Sequence, residues 1–343
     1  MEKGSLENEM EDTILNVVGN TPIIKLANIS KKLKGNIFLK MEFLNPWMSV
    51  KDRVALNIIE DAEKTGKLKK GGHVVEATSG NTGISLAGVC AVKGYKLTII
   101  LPEFVSLERK LLLRMLGADL ILTPESQGLL GPVAKSIELA SKDPNIFIAD
   151  QTRNLANPES HLKTAEEIWE QMDGNIDAFV SASGTGGHIS GIGQGLKNKR
   201  QDIKVIAVEP FQAAVLSGQT KVGEAEGNHG IIGIGPGFIP KTLDRKVIDR
   251  VIVIDPDKSY ETVLEVMKSE GVLIGVSTGA TIYSAMLLAN EEEMRDKNII
   301  VVGASATERY LSTKLSADAN KYLNELVPEA ASPEFIELLK SSN

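Results

Sequence analysis

The chain has 343 residues, 42% of them hydrophobic and 24% charged, with a formal net charge of −7. This is a globular composition, long enough for one large or two medium domains, and a mild acidity without a basic block disfavours general binding of nucleic acid or anionic membranes. A single cysteine, Cys90, excludes an intramolecular disulfide, and four scattered histidines without an HExxH or Cys/His cluster argue against a zinc site.

Residues 1–12, MEKGSLENEMED, are acidic and polar, unlike a signal or transit peptide. No apolar run reaches the roughly 18 residues of a membrane helix, so the expected location is the cytoplasm. Strands are expected at 22–26, 36–41, 73–77, 96–101, 118–122 and 146–149, then at 178–182, 204–209, 250–254 and 298–303. Several are continuous apolar runs, as in parallel sheets covered on both faces. Amphipathic stretches lie between them. RVALNIIEDAEKTG places Val54, Ala55, Ile58, Ile59 and Ala62 on one stripe and ends at Gly66; LERKLLLRMLG ends at Gly117 in the same way. The alternation implies an α/β fold with parallel sheets. Ten strands suggest two sheets, with a boundary near residues 150–160. Cys90, in SLAGVCAVKG, reads as a small buried hydrophobe. The residues from about 319 read as a polar, helical, peripheral tail.

Three Gly/Ser/Thr-rich turns each follow a strand and precede a helix, where ligands bind in open α/β folds. TSGNTG, 78–83, can point several backbone N–H groups at one anion; a simple Ser/Thr cap is the competing reading. SGTGGH, 183–188, has a phosphate-cradle composition. It also imitates a dinucleotide turn, with Glu209 closing the next strand, but Ile189 stands where the helix-packing glycine is required. GVSTGA, 275–280, offers the Ser277 hydroxyl at a strand end and on its own reads as a cap. NPWMSVKDR, 45–53, resembles a capping box with Ser49 as cap and Asp52 three residues on. Lys51 then sits in a helical first turn, where the dipole disfavours its charged form and suits it to covalent chemistry with a carbonyl. Two anion-binding turns, such a lysine and a strand-end hydroxyl are what pyridoxal phosphate needs.

NPWMSVKDR, EATSGNTG, LPEFVSLERKLLLRMLGADLILT, SGTGGHISG, VEP, GIGPGFIP, GVSTGA and ERYLST follow one another in an order that resembles the cysteine synthases (O-acetylserine sulfhydrylases). These belong to the cystathionine β-synthase-like, fold type II group of pyridoxal-phosphate enzymes, and the resemblance covers roughly residues 12–315. It implies two parallel-sheet α/β domains with the cofactor in the cleft between them. Residues 1–155 would carry Lys51, the 78–83 loop and a mobile subdomain at about 95–140; residues 156–343 would carry the phosphate loop. By resemblance, Lys51 is the Schiff-base lysine and catalytic base, Asn81 contacts the cofactor's ring hydroxyl, and Gly184, Thr185, Gly186, Gly187 and His188 bind its phosphate. Ser277 would meet the pyridine nitrogen. Thr78, Ser79, Asn81, Thr82 and Gln151 would hold the substrate α-carboxylate, and residues 233–240 would lie beside the reacting sulfur.

The implied activity is β-replacement on a β-substituted L-alanine, O-acetyl-L-serine plus sulfide giving L-cysteine and acetate. Cystathionine β-synthase-type, β-cyanoalanine and cysteine-to-sulfide chemistry are the related alternatives, and a non-catalytic peptide-binding paralogue is a further one. The resemblance also implies a homodimer and a serine acetyltransferase C-terminal tail as partner. Departures from the usual family text are His188 in place of threonine, Thr152 and Leu155 in place of phenylalanine and proline, and the bulky Trp47 and Met48. They bear on substrate choice.

Overall fold

The computed structural model describes residues 11–78, 80–128, 130–225, 229–329 and 331–341. The chain opens with β1 (Ile23–Lys25), α1 (Ala27–Ser30), β2 (Asn36–Lys40) and α2 (Lys51–Lys64). Then come β3 (His73–Ala77), α3 (Asn81–Lys93), β4 (Lys96–Pro102), α4 (Leu107–Met115), β5 (Asp119–Thr123), α5 (Leu130–Lys142) and β6 (Ile146–Ile148). The alternation continues through α6 (Ala156–Gln171), β7 (Ala178–Ala182), α7 (Gly187–Lys199), β8 (Lys204–Pro210) and β9 (Arg250–Ile254). It closes with α8 (Pro256–Glu270), α9 (Val276–Ala289), β10 (Asn298–Val302), α10 (Ala317–Glu325) and α11 (Pro333–Ser341). Each strand expected from the sequence is present, shifted by a residue or two at most at its ends.

Two sheets form, one with strand order β1-β2-β10-β7-β8-β9 and one with order β5-β4-β3-β6. Among the described residues, all pairings between these strands are parallel except β1 with β2. That exception follows from the short connection through α1, since a parallel pair needs a longer crossover. A single cut at residue 155 does not separate the sheets: β1 and β2 come from the first 40 residues yet pair onto β10. By compactness the chain divides into Met1–Arg309 and Tyr310–Asn343. The second unit contains α10 and α11, so the helical tail begins somewhat before residue 319.

The order within each sheet fixes where a ligand can bind. β3 has β4 on one side and β6 on the other; β7 has β8 on one side and β10 on the other. Chains leaving such a strand diverge from those leaving its neighbour, opening a crevice at the carboxyl end. The turns that begin at Thr78 and at Ser183 leave β3 and β7, at these two switch points.

Two apolar cores hold the sheets in place. Val54, Ala55, Ile58, Ile59 and Ala62 of α2 are all buried and pack with Val74, Ile99 and Leu101 of the four-stranded sheet and with α3. Ile168, Phe179, Ile189, Ile192, Val205 and Ile300 build the other core between α6, α7 and the six-stranded sheet. Ile189, which breaks the dinucleotide pattern, is fully buried there. Cys90 is buried as expected, and desolvation pushes its thiol up to about 12.

Candidate active site

Lys51 is the first residue of α2. The segment before it is fixed by short polar contacts. Ser49 Oγ accepts the Lys51 N–H at 3.2 Å, and Asp52 accepts the Trp47 N–H at 2.6 Å and the Ser85 hydroxyl at 2.6 Å. This differs from the expected capping box, in which Asp52 would take the Ser49 N–H: the carboxylate reaches two residues further back, and Val50 holds the cap position. Burial raises Asp52 to about 6 against these hydrogen bonds. Burial also lowers the Lys51 amine to about 8, with the neighbouring Asp52 opposing it. An amine that is partly neutral near physiological pH can act as a nucleophile or take up a proton.

Beneath Lys51 lies a buried network of four charges. Arg53 pairs with Glu42 through Nε and Nη2 and with Glu167 through Nη1 and Nη2, all between 2.6 and 2.8 Å. Lys40 Nζ adds a bond to Glu167 at 2.7 Å. Two positive and two negative groups thereby tie the first turn of α2 to the end of β2 and to α6.

The turn after β3 meets the turn after β6. Thr82 Oγ1 donates to Gln151 Oε1 at 2.6 Å, and Gln151 Nε2 reaches Thr78 Oγ1 at 3.5 Å. Thr78, Asn81, Thr82 and Gln151 are thus brought together; Ser79 lies outside the described residues. Glu76 in β3 stands behind this cluster, accepting the Asp150 N–H at 2.7 Å. It is buried, and desolvation pushes its carboxyl up to about 8.

The turn after β7 ends on Gly186, at φ +83°, before α7 begins at Gly187. A Cβ on Gly184 would lie 2.3 Å from the Gly233 carbonyl, and one on Gly187 would lie 2.2 Å from Asn157 Oδ1. The turn is therefore a bare backbone cradle at a helix N-terminus. Thr185 Oγ1 accepts from Asn157 Nδ2 at 3.0 Å, and the same amide donates to the Gln151 carbonyl at 2.7 Å. Asn157, at the start of α6, links the two turns. The glycine-rich segment 233–240 flanks the cradle, with Gly235 N donating to Ser183 O at 2.9 Å.

The His188 side chain points away from the cradle. Its Nδ1 lies 3.0 Å from Ser181 Oγ, and its ring makes edge contacts with His161 and Phe179. Burial, with the Lys51 and Arg53 charges beside it, holds it neutral at about 3. Helix geometry explains the direction: residue 188 follows the first residue of α7, and its side chain turns back onto β7. Only its backbone N–H remains at the helix N-terminus. Trp47 also faces elsewhere, its indole packed on α3 where a Cβ at Gly88 would lie 2.0 Å from it. Met48 is exposed, with φ +60°.

The third turn joins the Lys51 segment, but it does not leave a strand as expected: residues 271–275 run in irregular backbone from α8 into α9. Ser277 is buried in the first turn of α9, capped by Gly275. Gly275 N donates to Ser305 O at 2.7 Å, Ala304 N to Thr278 Oγ1 at 3.1 Å, and Val50 N to Ala304 O at 2.9 Å. Arg309 closes the ring, donating to Asn81 Oδ1 and to the Trp47 carbonyl.

Comparison with known proteins places this arrangement. Residues 14–305 match the model of the pyridoxal-phosphate dependent enzymes. The chain is 46% identical over 303 residues to the cysteine synthase of Haemophilus influenzae, covering 87% of this chain and 95% of that one. The chain belongs to the cysteine synthase family of pyridoxal-phosphate dependent enzymes. It is 44% identical over 314 residues to cysteine synthase A of Escherichia coli strain K12, covering 90% and 96% of the two chains. The solved cysteine synthase of Entamoeba histolytica superposes with a TM-score of 0.88 at 37% identity, covering 96% of each chain. The fold type II architecture implied by the motifs is the one found.

Membership in this family gives the site a definite test, and the residues present fit a phosphate-bearing aldehyde. A half-buried amine with a lowered pKa stands on α2, and a glycine-rich cradle heads α7. Asn157, Arg309, Glu76 and the buried ion network were not singled out from the sequence. Arg309 lies inside ERYLST and Asn157 two residues beyond Leu155, but nothing in either stretch says which polar residue turns inward.

Proposed function

We propose that this chain binds pyridoxal 5'-phosphate and catalyses O-acetyl-L-serine plus sulfide to L-cysteine plus acetate. The observation that carries this reading is Lys51: an amine lowered to about 8 at the start of α2, in a ring of contacts that joins the turns leaving β3 and β7 to the start of α9.

Gly184, Thr185, Gly186 and Gly187 would hold the phosphate through backbone N–H groups and the dipole of α7. His188 contributes its backbone only. Asn81 would face the ring oxygen and Ser277 the ring nitrogen. Bound there, pyridoxal phosphate supplies an electron-withdrawing ring that stabilises negative charge at a substrate α-carbon. Ser277 is a neutral hydroxyl and does not hold the ring nitrogen protonated, so the site suits departure of a good leaving group over a long-lived carbanion. Thr78, Ser79, Asn81, Thr82 and Gln151 would bind the α-carboxylate at the N-terminus of α3. Lys51 Nζ would hold the cofactor's aldehyde and, when free, would take the substrate α-proton as general base. The β-carbon–oxygen bond would break with loss of acetate, hydrosulfide would form the new carbon–sulfur bond, and Lys51 would return the proton to the α-carbon.

Carboxylate binding would draw the 95–140 segment over the site and exclude water. A homodimer, a cytoplasmic location and docking of a serine acetyltransferase tail in the carboxylate site belong to the same reading. The test offers O-acetylserine, O-phosphoserine, serine and cysteine separately to the cofactor-loaded protein and measures kcat/KM with sulfide. The highest value is expected for O-acetylserine; a higher value for any of the others reassigns the substrate.

A further inference from the structure

Asn81 heads α3, and its side-chain Oδ1 accepts a hydrogen bond from Arg309 Nη1. A guanidinium carries donors and no acceptor. The amide atom facing Arg309 is therefore the oxygen on chemical grounds. Nδ2, with its two N–H donors, is left for the opposite side. Arg309 Nη2 donates at the same time to the Trp47 carbonyl, in the segment that leads into Lys51. One side chain, arriving from beyond β10, thus grips both the start of α3 and the approach to α2.

We propose that Arg309 is a positioning residue that locks the Asn81 amide with its N–H groups toward the cofactor's ring oxygen, so that the ionised form of that oxygen is favoured. The inference rests on Asn81 as the ring-oxygen contact. Without the lock, the amide is free to turn over and accept a hydrogen bond from the neutral, protonated ring oxygen. A donor that favours the ionised form is then exchanged for an acceptor that favours the neutral one. A hydrogen bond to a charged group contributes about 1.5–3 kcal/mol, so loss of the preferred orientation shifts the balance of ring-oxygen forms by about tenfold or more. Lysine at 309 keeps one positive donor but not the fork that reaches Asn81 and Trp47 together.

The test uses the cofactor-loaded full chain and reads the visible spectrum per bound cofactor. The quantity is the ratio of the long-wavelength band, ring oxygen ionised, to the short-wavelength band, ring oxygen neutral. Arg309→Met and Asn81→Ala are each expected to lower this ratio about tenfold, with Arg309→Lys between them and the wild type. The double variant is expected to fall no further than either single one, because both act through one contact. A shift in Asn81→Ala with a wild-type spectrum in Arg309→Met overturns the role of Arg309. An unchanged spectrum in Asn81→Ala overturns the Asn81 contact itself, and the inference with it. Should Arg309→Met fail to fold, Asn81→Asp asks the same question. It keeps an acceptor for Arg309 and turns an oxygen toward the ring, so its ratio is expected to fall below that of Asn81→Ala. A wild-type ratio in Asn81→Asp overturns the proposal.

Discussion

Arg53 and Glu167 meet through two hydrogen bonds, Nη1 to Oε1 at 2.7 Å and Nη2 to Oε2 at 2.6 Å, both buried. The same guanidinium grips Glu42, so the helix carrying Lys51 is clamped on two sides two residues from the reactive amine. Removing Arg53 leaves Glu167 buried with Lys40 as its charged partner and Glu42 buried with the neutral donors Thr21 and Asn45. Breaking a buried pair costs about 3–5 kcal/mol. Arg53→Met is expected to lose stability of that order in urea unfolding, and Arg53→Lys less, since it keeps the charge but not the bidentate geometry.

The same pair sets a pH window. Burial pushes Glu167 up, but the bonds from Arg53 and Lys40 outweigh it and bring it from 4.5 down to about 2. A depressed carboxylate stabilises the fold above its unfolded pKa and loses that contribution as pH falls through its folded one. The wild type is expected to lose stability progressively between about pH 4.5 and pH 2. Arg53→Met should show a shallower slope there, measured by urea midpoints at several pH values.

Lys51 predicts an amine of unusual reactivity. In cofactor-free protein, its acylation rate should rise through a midpoint near pH 8, well below the ordinary lysine value of about 10.4. Mass spectrometry of peptides after brief labelling reads this site by site. Equal midpoints for Lys51 and surface lysines would contradict the lowered pKa.

Glu76 carries the opposite sign from Glu167. Its folded pKa is raised from 4.5 to about 8 by burial. The folded state then holds a proton that the unfolded state releases, so this group's contribution is full below about pH 4.5 and is lost as pH rises toward 8. Glu76→Gln keeps an acceptor for the Asp150 N–H and cannot ionise. The stability of the wild type relative to Glu76→Gln is expected to fall between pH 5 and pH 8, within the window about 4.5–8.

Gly184 in the cradle after β7 leaves no room for a side chain. Gly184→Ala would place a carbon 2.3 Å from the Gly233 carbonyl, and forcing such an atom into a packed site costs about 1–3 kcal/mol. Loss of affinity for pyridoxal phosphate of about tenfold is expected, read by cofactor titration, with urea unfolding as the control for general damage.

Much of this was legible because period and punctuation are local. All ten strands followed from β-branched runs, and the α2 stripe from 3.6-residue spacing. The switch points were marked by clusters of small residues, because a backbone that binds an anion must be bare. What stayed hidden depended on direction. His188 reads as part of the phosphate turn, yet one residue into α7 its side chain faces Ser181 and the core. Trp47 reads as a residue that bears on substrate choice, yet its indole fills the space that Gly88 leaves. The pairing of β2 with β10 joins residues more than 250 apart, and no local pattern encodes it. The charges of Lys40, Glu42, Arg53 and Glu167 look like surface residues until the fold brings them together.

The central claim is that Lys51 drives β-replacement in this chain. Cysteine formation from O-acetylserine and sulfide, measured side by side for the cofactor-loaded wild type and Lys51→Ala, tests it most directly. The wild type is expected to turn over and Lys51→Ala to form no cysteine above the uncatalysed rate while keeping its urea unfolding transition. Full turnover by Lys51→Ala, or none by the wild type, would contradict it.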